Sequence, residues 1–460
     1  MAHPDPRDQR IAELEALLAK AVARIAELEE QLGRSSRNSS KPPSSDAPGS
    51  ARPRKEPTGN APGGQLGHPK HERTFLPPDR VHHLHPKSCA ACGGALVVDD
   101  AALPERHQVV EWPKVKPTVT DYIVHSGGCS CGAVTRAELP RGVPTRGYGP
   151  RLTALVSLFT GKYRLSKRMV QSIVMDLAGT RIALGTISNL EQEMSAALAR
   201  PFEEAAAEIP KQPVVNMDET GWFEGRRNGR AGRAWLWVAT TDLVTVFRVT
   251  LSRGADVARA MLGENFSGLL GTDRWSAYTW VDASRRQLCW SHLTRDFQGF
   301  VDRKDAGAPP GQKLLRATRK MFRFWHRTRD GTLTRQAFQR RMTPVRTRML
   351  SLLREASVCA PPKTAGMAKK ILELKEALFT FVDVTGVEPT NNVSERRIRH
   401  GVMWRKTSFG TQSSRGSRFV ERILTADATL RQQNRDVLGF LSAAYSAKLR
   451  RARHPSLLPA

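Results

Sequence analysis

Apolar residues recur at threes and fours through residues 8–33. Ile11, Leu18, Ile25 and Leu32 repeat every seventh position, with Leu14, Ala21 and Leu28 between them. Glu, Lys and Arg fill most other sites. The stretch (boundary 1–35) therefore predicts one amphipathic helix whose apolar seam pairs with a second copy, or packs on its own protein. The periodicity then stops. Residues 36–75 are rich in Ser, Pro, Gly and cations and predict a flexible basic linker. Within 76–146 the stretch RHQVVEWPKVKPTVTDYIVHSG alternates in the manner of strands, flanked by CAACGG and GGCSCG. Residues 147–208 return to a helical period. There LSKRMVQSIVMDLAGTRIALGTISNLEQEM gives a helix, a break at Gly179, and a second helix entered through Leu184-Gly185-Thr186-Ile187. That outline suits a helix-turn-helix and an ordinary helical hairpin equally, because the second helix carries few cations to meet phosphates.

From about residue 212 the period changes to two. QPVVNMDETGW predicts a strand ending in Asp218, and GRAWLWVATTD and LVTVFRVTLSRG two more strands of a meander. GADVARAMLG predicts a short helix, SGLLGTDRWSAY a strand ending in Asp273, and RRQLCWSHLTRDF a strand running into a helix. Three strands, a helix, a strand and a helix form the outline of a ribonuclease-H-like α/β fold, spanning 209–425. A basic helical stretch at about 300–385 forms an insertion in it, and residues 426–460 form a helical tail. The predicted fold class is thus multidomain α+β.

Composition narrows the partner. Across 460 residues Lys and Arg outnumber Asp and Glu by 72 to 44, a formal charge of +28. That surplus favours nucleic acid over a membrane surface. No apolar run reaches bilayer-spanning length, and the start, MAHPDPRDQR, lacks a secretory pattern, so a cytoplasmic, nucleoid-associated protein is expected. Six cysteines in such a chain are not a disulfide framework. Cys89 with Cys92, and Cys129 with Cys131, form two knuckles with the donors of a structural Zn²⁺ ribbon; His82, His83, His85 and His125 are substitute ligands.

Carboxylates at neighbouring strand ends suit phosphodiester chemistry, in which two Mg²⁺ (or Mn²⁺) ions about 4 Å apart stabilise the attacking and leaving oxygens. Asp218 and Asp273 are the first two candidates. The third is Glu395, the lone acid of PTNNVSERRIRHGVMWRKTSFG, where Asn391 or Asn392 caps a helix with Glu395 in its first turn. Arg396, Arg397, Arg399, Arg405 and Lys406 crowd the same segment and would meet DNA phosphates. By spacing alone Glu219, Glu224, Asp296, Glu388 or Glu421 also qualify, and a surface glutamate paired with its own arginines is the plain alternative.

Taken together, the heptad helix, NSSKPPSSD, the CAAC and CSC knuckles, MDETGW, QLCWSHLTRDF, PTNNVSERRIRHGVMWRKTSFG and the tail RQQNRDVLGFLSAA resemble the transposases of the insertion-sequence-sixty-six family, in the family's order through nearly the whole chain. The resemblance implies a DDE transposase that cuts element ends and joins 3′-hydroxyls to target DNA by metal-dependent transesterification, without a nucleotide cofactor. Asp218 matches the first aspartate, Asp273 takes the second aspartate's place within TDRWSAY, and Glu395 matches the glutamate of the NNxxER pattern. His292 in CWSH matches a further position, facing DNA or capping its helix. The partners implied are double-stranded DNA, as terminal repeats and target, a second copy through the N-terminal helix, and accessory proteins of the same insertion sequence. The rival readings are a non-catalytic, repressor-like DNA-binding protein with a dead fold, a nuclease that cuts without joining, and an RNA-binding zinc protein.

Overall fold

A computed structural model describes residues 6–39, 46, 73–96, 105–227 and 230–459. Contacts divide the chain into two units: Pro48–Thr118, and Met1–Ala47 together with Val119–Ala460. In the smaller unit no helix or strand forms among the described residues. Its local order comes from polar side chains: Leu76 N–H donates to Gln108 Oε1 at 3.0 Å, Gln108 Nε2 donates back to Leu76 O at 2.7 Å, and the Arg106 guanidinium lies 4.5 Å from the Phe75 ring centroid. The alternation across 105–125 does not become strands. Pro113 and Pro117 have no N–H for a ladder, and Val109, Val110, Trp112, Val115, Val119 and Ile123 stay exposed. Most of the expected linker lies outside the described residues.

In the larger unit, α1 spans Pro6–Gly33, as the heptad predicts, and Ile11, Leu14, Leu18, Ile25, Leu28 and Leu32 are all exposed along it. The segment after it is held by short bonds: Ser36 N–H donates to Asp46 Oδ1 at 2.8 Å and Asn38 Nδ2 to Asp302 Oδ2 at 3.0 Å. A small antiparallel hairpin, β1 (Ser126–Gly128) and β2 (Val134–Arg136), carries the second cysteine knuckle. Four helices follow: α2 (Pro150–Gly161), α3 (Lys167–Ala178), α4 (Leu184–Ala197) and α5 (Ala199–Glu208). The hydroxyl of Ser166 caps α3 by accepting from Met169 N–H, and Gly179 stops it at φ 61°, a left-handed conformation that glycine adopts without strain. Helix α4 packs on α2, α13 (Ser414–Gln432) and α14 (Val437–Arg450) and exposes Gly185, Gln192 and Ala196, a face with no cation for a phosphate.

The sheet is built from β3 (Val214–Arg227), β4 (Arg230–Thr240), β5 (Thr245–Thr250), β6 (Leu269–Thr272) and β7 (Arg286–Leu288), with α6 (Ala255–Leu262) between β5 and β6. Its order is β5-β4-β3-β6-β7: the first three strands pair antiparallel, and β6 and β7 add parallel to β3 and to each other. Helix α7 (Trp290–Asp302) follows β7 directly. The insertion is α8 (Ala308–Arg329), α9 (Arg335–Cys359), α10 (Pro362–Glu373) and α11 (Thr380–Asp383), with its own core around Trp325, Phe338 and Phe381. It returns to the sheet edge through Gln287, whose Nε2 donates to Leu378 O and whose Oε1 accepts from Phe381 N–H at 2.9 Å. Last come α12 (Asn392–Ser408), α13 (Ser414–Gln432) and α14 (Val437–Arg450). These helices and α2, α4 and α5 close the main core over the sheet, with Trp222 and Trp237 fully enclosed.

Candidate active site and nucleic-acid contacts

Strand β3 alternates faces, so Val215, Met217 and Glu219 point into protein while Asn216, Asp218 and Thr220 lie on the other face. Asn216 is paired in parallel with Gly271 of β6. Continuing that register two residues brings Asp218 level with Asp273, just beyond the end of β6. The Asn216 side chain lies across Gly271, so a methyl there would displace its Oδ1. Asp273 is oriented by its own turn, its Oδ1 accepting from Trp275 N–H at 2.8 Å.

Glu395 arrives from the far end of the chain, and the asparagine and serine of the same motif place it. Asn391 sits at the N-cap of α12, but its side chain does not cap the helix; Nδ2 donates to Met217 O at 2.6 Å. Ser394 Oγ donates to Asn216 O at 2.9 Å. The first turn of α12 is thereby bolted to the backbone beside Asp218. Ser291 Oγ bonds Asn392 Oδ1 at 3.2 Å, and Trp290 N–H donates to Pro389 O at 2.9 Å, tying the same turn to the start of α7. Further along, Gly401 lets α12 lie against Leu236 of β4.

The electrostatics report the convergence. Desolvation raises the Asp218 carboxyl well above the usual carboxylate range, and the charges of Glu219, Asp273 and Glu395 raise it further. Two of those three neighbours are the other members of the sequence-derived triad. Carboxylates that repel one another in this way offer hard oxygen donors whose repulsion a bound divalent cation could relieve. Glu395 does not pair with its own arginines. Its Oε1 lies 3.6 Å from His292 Nδ1. His292 is thus turned toward Glu395; burial, then the Arg295 charge, lowers its pKa.

Four of the five alternative acids have hydrogen-bond partners of their own. Glu219 is buried under Tyr278 Oη (2.5 Å) and a two-pronged Arg253 (2.8 and 3.0 Å), and Arg253 is itself stacked between Trp235 and Trp275. Glu224 accepts from Ser417, Asp296 from Arg274, and Glu421 from Val249 N–H, while Glu388 is exposed. Among the expected DNA-facing cations, Arg396, Arg399 and Lys406 are exposed and Arg397 is half-buried. Arg405 points inward: its Nη1 donates to Gly221 O at 2.7 Å, so it fastens α12 to β3. Two further features were invisible in the sequence. Cys289 is buried at the N-cap of α7, where burial and the Glu395 charge push its thiol up to about 11. Lys162 pairs with buried Asp427, which also accepts from Arg431 Nε at 2.7 Å, and Lys162 Nζ lies 3.2 Å from His400 Nε2. Burial, then Lys162, lowers His400 to about 4, so at neutral pH it is an uncharged acceptor anchoring α12 to α2.

A family model described as Transposase IS66 family matches residues 148–418, more than half of the chain. The chain belongs to that family. The match takes in Asp218, Asp273 and Glu395 and leaves both cysteine knuckles outside it. Residues 1–74 match a family of unknown function, DUF6444, so the N-terminal helix and the segment after it recur as a unit of their own. A curated relative, the uncharacterized protein y4qI of Sinorhizobium fredii, is 28% identical over 242 residues. The alignment covers 47% of this chain and 44% of the relative, so this IS66-family chain spans under half of that relative's length. Among the described residues no helix is long and apolar enough to cross a membrane.

Each knuckle, taken by itself, is a tight hydrogen-bonded turn. Cys89 N–H donates to Gly94 O and Gly93 N–H to Cys89 O, both at 2.9 Å; Cys129 N–H donates to Ala133 O at 2.8 Å and Gly132 N–H to Cys129 O at 2.9 Å. Backbone N–H groups and the neighbouring thiol lower the pKa of Cys89 and of Cys129, favouring thiolate, the form that binds zinc.

Proposed function

We propose that this IS66-family chain is a DDE-type DNA transposase that cleaves the ends of an insertion sequence and joins the freed 3′-hydroxyls to target DNA. The observation that carries the reading is the raised Asp218 carboxyl, with Asp273 and Glu395 close enough to act on it. The strand order β5-β4-β3-β6-β7 supports the ribonuclease-H-like reading of the sheet. Asp218, Asp273 and Glu395 would hold the Mg²⁺ or Mn²⁺ ions, which supply nucleophile activation and charge neutralisation at the phosphate when bound.

The protein's own residues do the positioning. Asn391 and Ser394 set the first turn of α12, with Glu395, against β3 beside Asp218, and the Trp275 N–H holds the Asp273 carboxylate. Arg396, Arg399 and Lys406, exposed beyond Glu395 on α12, suit the phosphates of DNA lying over the site. The two thiol pairs suit a structural zinc, and the exposed apolar stripe of α1 suits pairing of two chains, which would bring two DNA ends together.

The test is cleavage and strand transfer on DNA carrying the element's terminal repeats, in Mg²⁺ or Mn²⁺. Wild type is expected to give cut and joined products; Asp218→Asn, Asp273→Asn and Glu395→Gln are each expected to abolish both while DNA binding persists. Glu388→Gln, on an exposed acid, retains them. Binding without cleavage by the wild type would favour the repressor-like reading, and cutting without joining a nuclease.

A further inference from the structure

Beside the three carboxylates lies a second group of donors with different chemistry. Among the described residues, one cluster brings together three side chains able to ligate a metal: Cys289, His292 and Glu395, each offering an atom within 4.8 Å of the others. Two of the three atoms lack hydrogen-bond partners within the fold. His292 Nδ1 and Glu395 Oε1 are both buried, and neither makes a hydrogen bond. Their separation is 3.6 Å. That is long for a hydrogen bond, but it falls among the roughly 3.3–3.8 Å ligand-to-ligand distances that follow from bonds of about 2.0–2.3 Å to a tetrahedral ion. Unpaired buried polar atoms are uncommon and costly.

The sulfur is set up to match. Cys289 is almost fully buried at the N-cap of a thirteen-residue helix, and Asn391 N–H donates to its Sγ at 3.2 Å. The CWSH spacing puts Cys289 at the cap and His292 in the first turn of α7, so backbone alone brings both donors to one corner. Glu395 completes that corner from the first turn of α12, held there by Asn391, Ser394 and Ser291.

We propose that Cys289, His292 and Glu395 form a site for a borderline-soft divalent ion of the zinc class, next to the Asp218–Asp273–Glu395 carboxylates and sharing Glu395 with them. One sulfur, one imidazole nitrogen and one carboxylate oxygen suit Zn²⁺ or Co²⁺ and are a poor set for Mg²⁺. The ion fixes Glu395 Oε1, so it clamps α12 to α7 and sets the aim of the third catalytic carboxylate. That role for the ion rests on the transposase reading; the ion site itself does not.

The test is Co²⁺ binding to the full-length chain with Cys89, Cys92, Cys129 and Cys131 all changed to Ser, which removes the knuckle thiols. A thiolate-to-cobalt absorption band is expected, lost in Cys289→Ser and reduced in His292→Gln, and retained in Asp218→Asn. No band, or a band that Cys289→Ser leaves in place, overturns the site. Should the fourfold background fail to fold, X-ray absorption of the zinc-loaded wild type against Cys289→Ser decides it. A mixed sulfur, nitrogen and oxygen shell present only in the wild type supports the site, and identical spectra overturn it. A cobalt band lost in Cys289→Ser together with unimpaired DNA cleavage by Asp218→Asn would sink the transposase reading and leave the ion site standing.

Discussion

Replacing Gly401 by Ala tests how α12 delivers Glu395. A methyl built there falls 2.0 Å from Leu236 Cδ2 and 3.5 Å from its Cγ. Carbon atoms pack at about 3.5–4.0 Å, so helix or leucine must yield by roughly 1.5–2 Å. Leu236 is fully buried in β4 and has nowhere to go. At an open helical site, Gly→Ala would stabilise by about 1 kcal/mol. Here overpacking costs about 1–3 kcal/mol, so the net expectation is a loss of up to about 2 kcal/mol. Urea denaturation followed by tryptophan fluorescence reads it, because Trp222 and Trp237 are enclosed in this core. Leu236→Ala alone should cost about 2–5 kcal/mol. Combined with Gly401→Ala, the methyl occupies part of the vacated space, so the pair should be less destabilised than the sum by over about 1 kcal/mol. DNA cleavage by Gly401→Ala should fall further than its stability, because the displaced helix carries Glu395 with it. A Gly401→Ala chain more stable than wild type by about 1 kcal/mol, additive with Leu236→Ala, would refute the docking of α12 on β4.

The remaining expectations concern charge. Because burial and its acidic neighbours raise Asp218, the folded protein keeps a proton there that the unfolded chain loses near its ordinary value of 3.8. Metal-free stability from this group therefore falls as pH rises from 3.8 through the higher folded value. Asp218→Asn should raise the metal-free Tm at neutral pH, converge with wild type in acid, and abolish the Tm rise that Mn²⁺ gives wild type. Arg396→Gln and Arg399→Gln should each lower the slope of log affinity for DNA against log salt by about 0.9 if each meets one phosphate. Arg405→Gln should leave that slope alone and cost about 1.5–3 kcal/mol of stability in denaturant melts, the worth of a charged hydrogen bond. Lys162→Met strips one of two cations from buried Asp427 and should cost about 3 kcal/mol by the same melts.

What the sequence revealed and what it hid divide along physical lines. The period-two run ending in Asp273 and the asparagine pair before Glu395 are local patterns that became a strand end and a helix start, whereas the strand expected to end in Asp218 runs on to Arg227, because β4 pairs with it well past that residue. The stretch from 105 to 125 misled because alternation specifies a strand only where a partner strand covers it. Arg405 misled for a related reason: a cation in a basic run looks solvent-facing, and only the packing of α12 on β3 turns it toward Gly221 O. His292 was found by motif, yet its direction depends on Glu395, 103 residues later in the sequence. The Lys162–Asp427 pair carried no local signal, since long-range pairing leaves no mark on spacing; Cys289 and His292 share a local spacing, but the arrival of Glu395 beside them does not show in it.

The most direct test of the central claim is Mn²⁺ binding by the metal-free chain, measured by electron paramagnetic resonance. Wild type is compared with Asp218→Asn, Asp273→Asn, Glu395→Gln and the exposed control Glu388→Gln. If the three carboxylates form one site, each of the first three variants loses the tightly bound Mn²⁺ signal and Glu388→Gln keeps it. Undiminished Mn²⁺ binding by Asp218→Asn or Asp273→Asn would contradict the account.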